Sequence, residues 1–159
     1  MRRCSRIVDG LKRLYIATLH YHGLRPSDAL SMRWENMNLN ERKFQIIAPK
    51  SRKLKIIAMD EDYFFEIVPL AKKIGRVFPW LNRSSTYSWL SPLCKKLDVS
   101  FGARKSRHKF ASDLVSVGAS EHDLVNNGSW TNTGSAKSYV TLDEGRAREM
   151  LKKKKQGVG

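Results

Sequence analysis

The sequence predicts an α+β domain that is mostly helical and carries one small antiparallel β-sheet. Three observations predict it. Apolar residues recur at helical spacing through most of the chain, and only two short Ile-rich runs break that rhythm. No internal repeat and no Pro/Gly/Ser-rich linker divides the 159 residues, so one domain over 1–159 is expected.

The first helix is set by Ile7, Leu11, Leu14, Tyr15, Thr18 and Leu19 within Ser5 to Tyr21, with Gly23 as its stop. Pro26 suits a first helical position and Asp28 a first turn, so a short helix is expected over Pro26 to Arg33, with Arg25 at its N-terminus. Phe44 to Ala48 and Leu54 to Met59 read as strands of a hairpin, joined by Pro49-Lys50-Ser51-Arg52-Lys53. Helical patterns resume at about Asp62 to Lys73, Thr86 to Leu97 and Arg107 to Val117. In the last of these Phe110, Ala111, Leu114 and Val117 form an apolar stripe closed by Gly118. Ser120 to Asp123 has the form of a capping box opening a short helix that ends near Gly128. Thr133 to Tyr139 and Asp143 to Lys154 are further helical candidates, ahead of a frayed tail.

Thirty Lys and Arg against 15 Asp and Glu give a formal charge of +15, spread along the chain, so a polyanion is the natural partner. Double-stranded DNA suits that charge better than a membrane, because no apolar run approaches the roughly 20 residues a spanning helix needs. A soluble, cytoplasmic, DNA-associated protein is expected. Cys4 and Cys94 stand apart, without metal-ligand spacing, and predict two reduced thiols and no metal site.

Phosphoryl transfer on DNA requires cations for the non-bridging oxygens, a nucleophile, and an acid for the leaving oxygen. Arginine meets phosphate with two parallel N–H groups, whereas lysine is a point charge that can also release a proton. Two Arg, one Lys and one Tyr therefore suffice for a strand-cleaving site without metal.

His22-Gly-Leu-Arg25-Pro-Ser-Asp28-Ala-Leu-Ser-Met-Arg33-Trp34 resembles the first signature of the tyrosine site-specific recombinases, the phage integrase family. Arg104-Lys-Ser-Arg107-His108-Lys-Phe110-Ala111 resembles the second, and Gly118, Trp130 and Tyr139 follow in the family's order and spacing. The resemblance implies a catalytic fold around a three-stranded antiparallel sheet. It makes Arg25 and Arg107 the catalytic arginines and Tyr139 the nucleophile. It makes Lys50 the general acid, with Lys53 as the alternative if the hairpin register shifts. Trp130, where the family usually has histidine, would donate its indole N–H to phosphate. Asp28 would support the site by hydrogen bonding, a role compatible with a simple helix N-terminal acid. No cofactor is implied.

Arg104 departs from the pattern. It replaces the family's usual histidine, and a guanidinium with a pKa above about 12 cannot accept the phenolic proton near neutrality, although as a catalytic residue it can still stabilise phosphate or phenolate. His108 is titratable but is expected to point about 100° away from Arg107 on the helix, as a structural residue. This departure keeps open a DNA-binding member without catalysis. A type IB topoisomerase shares the Arg, Lys and Tyr chemistry but is disfavoured by the integrase-type signatures. The resemblance further implies a separate N-terminal DNA-binding domain, for which no room precedes the first helix. A catalytic domain that is monomeric alone and assembles as a tetramer on DNA is therefore expected.

Overall fold

The computed structural model describes residues 2–47, 49, 52–127, 130, 132–137, 140 and 152, with the side chains of 2–8 and 127 left aside. Lys50, Tyr139 and all but one residue of the predicted helix over 143–154 lie outside the described residues. The described elements run α1 (Arg2–His22), α2 (Pro26–Leu30), β1 (Met37–Asn38), β2 (Lys43–Ile47), β3 (Leu54–Ala58), α3 (Glu61–Ile67), α4 (Arg83–Lys96), α5 (Ala103–Ser116), α6 (Glu121–Asn127) and α7 (Thr133–Ala136). The mostly helical α+β class is as predicted. None of the helices is long and apolar enough to cross a membrane, among the described residues.

The sheet is antiparallel in the order β1-β2-β3, with Phe44 opposite Ile57 and Ile46 opposite Lys55. β1 was not located in the sequence, because two residues are too short to show alternation. Phe44, Ile46 and Ile57 turn inward onto Leu14, Leu19, Tyr63 and Ile67 of α1 and α3, and form the main core with Met32, Trp34, Val77 and Phe78. A smaller cluster of Ala111, Leu124, Trp130 and Ala136 joins α5, α6 and α7.

Four boundaries differ from expectation, each for a local reason. Helix α2 stops at Leu30 rather than Arg33: the Ser31 hydroxyl donates to the Asp28 carbonyl, and the following backbone runs extended against residues 75–77 through Trp34 N to Gly75 O and Val77 N to Met32 O. Helix α3 ends at Ile67, and a 3₁₀ turn over Val68–Leu70 contains Pro69, which has no N–H with which to continue the ladder. Helix α4 begins at Arg83, earlier than Thr86, because the Asn82 side chain caps it through Ser85 N at 3.0 Å. Helix α5 begins at Ala103 instead of Arg107, which sets Arg104 and Arg107 one turn apart. Its apolar stripe ends before Val117, which is 81% exposed.

The helix stops are well marked. Gly118 has φ +106°, and its N–H bonds Val115 O while Ala119 N bonds Leu114 O, a Schellman ending. The capping box at Ser120 is present, with the Asp123 carboxylate accepting from Ser120 N and Oγ and the hydroxyl accepting from Asp123 N. Cys94 is a free, half-buried thiol.

Gly23 carries two constraints at once. Its φ is +56°, and a Cβ there would lie 2.6 Å from Cδ1 of Phe110 on α5. Gly118 also has positive φ, but a Cβ there would meet open space. Gly23→Ala is therefore expected to cost about 2–4 kcal/mol in urea denaturation, against about 1 kcal/mol for Gly118→Ala. Equal costs would show that the contact with Phe110 is not tight.

His22 is 2% exposed, its ring edge-on to Tyr63 at 4.6 Å and to Phe44 at 5.2 Å. Burial holds the imidazole neutral, with its pKa lowered to about 3. Below about pH 6.5 the unfolded chain takes up a proton that the folded chain refuses, so stability falls as pH drops from 6.5 toward 3, by up to roughly 1.4 kcal/mol per pH unit. Urea midpoints between pH 4 and 7 are expected to show this slope in the wild type and a shallower one in His22→Phe.

Candidate active site

The first signature becomes a turn between two helices. Gly23 and Leu24 are buried, and Arg25 stands at the N-cap position of α2 with extended backbone, φ −69° and ψ 149°. Pro26 follows at N1, where a missing N–H costs nothing. The turn presents the Arg25 guanidinium inward, and its Nη1 is buried without a hydrogen-bond partner among the described residues. Asp28, three residues on, is 1% exposed, and neither of its oxygens makes a hydrogen bond of ordinary geometry among the described residues. Burial raises its carboxyl above the ordinary value, while Arg25, Lys55 and Arg107 pull it down.

Helix α5 brings the second signature to the same place. The Ser106 hydroxyl donates to Leu19 O at 3.0 Å, and Nη1 of the next residue, Arg107, donates to Gly23 O at 3.0 Å. Arg107 thus grips the carbonyl two residues before Arg25. Beneath it lies Trp130, whose ring centroid is 3.9 Å from the Arg107 guanidinium carbon and which stacks on Phe110 at 6.2 Å and 14°. Trp130 is 1% exposed, and it meets Arg107 through the face of its ring. Such a cation–ring contact contributes about 0.5–2 kcal/mol and restrains the guanidinium plane.

The lysine that the described residues place in this cluster is Lys55. It lies on the inward face of β3, opposite Ile46, and its Nζ donates to the Trp130 carbonyl. Burial lowers its pKa to about 8; Asp28 raises it, and Arg107 and Arg25 lower it. The sequence motifs do not single out Lys55. The signal that could have found it is parity: once Ile57 faces inward, Lys55 two residues earlier must face inward as well. Lys53 is exposed.

Arg104 and His108 sit one turn apart on the exposed side of α5, where Arg104 Nε donates to His108 Nε2 at 3.4 Å. His108 is oriented toward Arg104 rather than buried as a packing residue. Beside Arg25 opens a cleft of about 650 Å³ whose lining includes Pro26, Pro49, Arg33, Arg76 and Arg83. No group of three or more His, Cys, Asp or Glu stands close enough to hold a metal, among the described residues. Arg25, Arg107 and Lys55 around the single buried carboxyl of Asp28 make a cationic pocket suited to a phosphodiester. Each charge-assisted hydrogen bond to a phosphate there is worth roughly 1.5–3 kcal/mol.

Comparison with known proteins bears on the whole arrangement. The family model for the phage integrase family matches residues 6–146. The fold is similar to that of XerA recombinase, with a TM-score of 0.65 at 18% identity over 91% of this chain and 62% of that one. It is similar to the catalytic domain of bacteriophage HP1 integrase, with a TM-score of 0.61 at 19% identity over 84% of this chain and 83% of that one. It is also similar to the Tn1549 transposon integrase in complex with a circular intermediate DNA, with a TM-score of 0.65 at 16% identity over 86% of this chain and 57% of that one. The chain thus spans about three fifths of the length of XerA. No curated protein matches. The chain belongs to the phage integrase family, and its fold is that of a tyrosine recombinase catalytic domain.

Proposed function

We propose that this domain cuts and rejoins double-stranded DNA at specific sites through a transient phosphotyrosine on Tyr139. The observation that carries the reading is that Arg25 and Arg107, from signatures far apart in sequence, both act on the buried Asp28 carboxyl, with Arg107 also bound to the carbonyl two residues before Arg25. Two neighbouring guanidinium groups suit a trigonal-bipyramidal phosphate, because its non-bridging oxygens gain charge in the transition state. The family's DNA-bound members, such as XerH recombinase on its difH substrate, support DNA as the partner.

In this reading the Tyr139 phenolic oxygen attacks the phosphorus and the bond to the 5′ oxygen breaks. Lys50 protonates that oxygen, giving a 3′-phosphotyrosine and a free 5′ hydroxyl. Attack by a 5′ hydroxyl from another duplex reverses the step and restores the diester, so neither ATP nor a cofactor is consumed. Trp130 donates its indole N–H to phosphate, and its ring supports the Arg107 guanidinium. Asp28 holds Arg25 and Lys55 in place electrostatically. The protein is monomeric alone and assembles as a tetramer on paired sites.

Arg104 gives a second reading its footing. With no histidine at that position and the guanidinium engaged with His108, the domain could bind DNA without cutting it. Incubation with nicked suicide duplexes carrying candidate attachment sites separates the two. A covalent complex on a denaturing gel that vanishes in Tyr139→Phe is the expected result. Arg25→Ala and Arg107→Ala are each expected to slow its formation by about 100- to 1,000-fold. Salt-sensitive binding with no adduct in the wild type would establish the non-catalytic reading.

A further inference from the structure

Strand β3 is patterned backwards at its start. Leu54 and Ile56 are 60% and 53% exposed, while Lys55 between them faces the protein interior. The register leaves no other choice: Phe44 and Ile57 pair in the core, which turns Ile46 and Lys55 inward as the next pair along that face. An ammonium on the inward face is costly unless it is hydrogen-bonded and balanced by charge. Lys55 has both, lying along buried Ile46, donating to the Trp130 carbonyl and sensing the Asp28 carboxylate.

We infer that Lys55 is a positioning residue of the cleavage site: by holding the Trp130 carbonyl it fixes the indole platform on which Arg107 rests, and so sets the angle at which Arg107 meets phosphate. The inference rests on the strand-cleavage reading above. Three links make the chain of contacts, Lys55 Nζ to Trp130 O, the Trp130 ring to the Arg107 guanidinium at 3.9 Å, and Arg107 Nη1 to Gly23 O at 3.0 Å. It runs from the hairpin that carries Lys50, through the segment that leads to Tyr139, to the turn that carries Arg25. One N–H of the Lys55 ammonium is engaged by a backbone carbonyl, and this contact is what gives the residue an orienting role. Its depressed pKa, caused by burial and by Arg107 and Arg25, agrees with a position behind the phosphate-binding groups.

A leaving-group substitution tests the role. When the bridging 5′ oxygen is replaced by sulfur, the departing thiolate needs no acid, so a variant lacking the acid is rescued and a variant with misplaced arginine is not. On nicked suicide duplexes, Lys55→Met is expected to form the Tyr139 adduct about 10- to 100-fold more slowly than wild type with oxygen and with sulfur alike. Lys55→Arg, which keeps a donor, is expected to recover most of the rate, and Lys50→Met to be rescued by sulfur. Rescue of Lys55→Met by sulfur would make Lys55 the acid itself, and an unchanged rate with oxygen would remove it from the site; either result overturns the inference.

A second readout does not depend on cleavage. The Trp130 indole N–H resonance of the full chain, assigned with Trp130→Phe, is expected to titrate with a midpoint near 8 in the wild type and to lose that step in Lys55→Arg. A wild type that forms no adduct but shows this titration would sink the strand-cleavage reading while leaving the hold on Trp130 intact. An indole signal indifferent to Lys55 would overturn the inference whatever the activity.

Discussion

The contact between the turn at Gly23 and helix α5 is the constraint on which the site depends. Ser106 and Arg107, adjacent on α5, bind the carbonyls of Leu19 and Gly23, the last turn and the stop of α1. Phe110, one turn further along α5, fills the space that any side chain at residue 23 would need. The α1–α5 approach is thereby set by hydrogen bonds on one side and by van der Waals contact on the other. Because Arg25 leaves the same turn two residues later, the spacing between the two signature arginines follows from the packing of two helices rather than from any contact between the arginines. Helices are a stiff mount, and a displacement on the order of 1 Å at a reacting centre costs about 100-fold in rate.

The electrostatics at this contact run against stability. Among the described residues, a buried Asp28 without ordinary hydrogen bonds, a buried Arg25 nitrogen without a partner and a half-buried Lys55 are groups a purely structural core avoids. Their charges do not cancel, since Arg25, Arg107 and Lys55 surround one carboxyl whose own ionisation is opposed by burial. The surplus is positive and faces the neighbourhood of an arginine-rich cleft. On the proposed reading, an incoming phosphodiester would supply the missing negative charge and acceptors together, so that unfavourable terms in the free protein become binding energy. The overall charge of +15 would attract the duplex, and this pocket would select one phosphate along it.

Much of this was legible in the sequence, and the limits are physical. The helix stops at Gly23 and Gly118 and the capping box at Ser120 follow local rules and lie where those rules place them. The two signature arginines are marked in the sequence by their motifs, while the packing of α1 on α5 that relates them is long-range. Lys55 was hidden because Ile56 and Ile57 are both apolar: either could face the core, and only the pairing of Phe44 with Ile57 decides the parity. The position of Trp130 is given by the sequence but its depth is not, because depth depends on Phe110 and Leu124 from other helices. The early start of α5 was missed because Gly102 offers no side-chain cap, so nothing before Arg104 announces the helix.

The central claim is that Arg25 and Arg107 act on one and the same phosphate. The most direct test is the affinity of wild type, Arg25→Ala, Arg107→Ala and the double variant for a duplex carrying a single uncharged methylphosphonate at the cleaved position, against the ordinary duplex. With a shared phosphate, removing its charge and removing either arginine are non-additive, so the variants lose much less on the methylphosphonate duplex than on the ordinary one. Equal losses on both duplexes would mean that the two arginines serve different phosphates, and the account of the site would not stand.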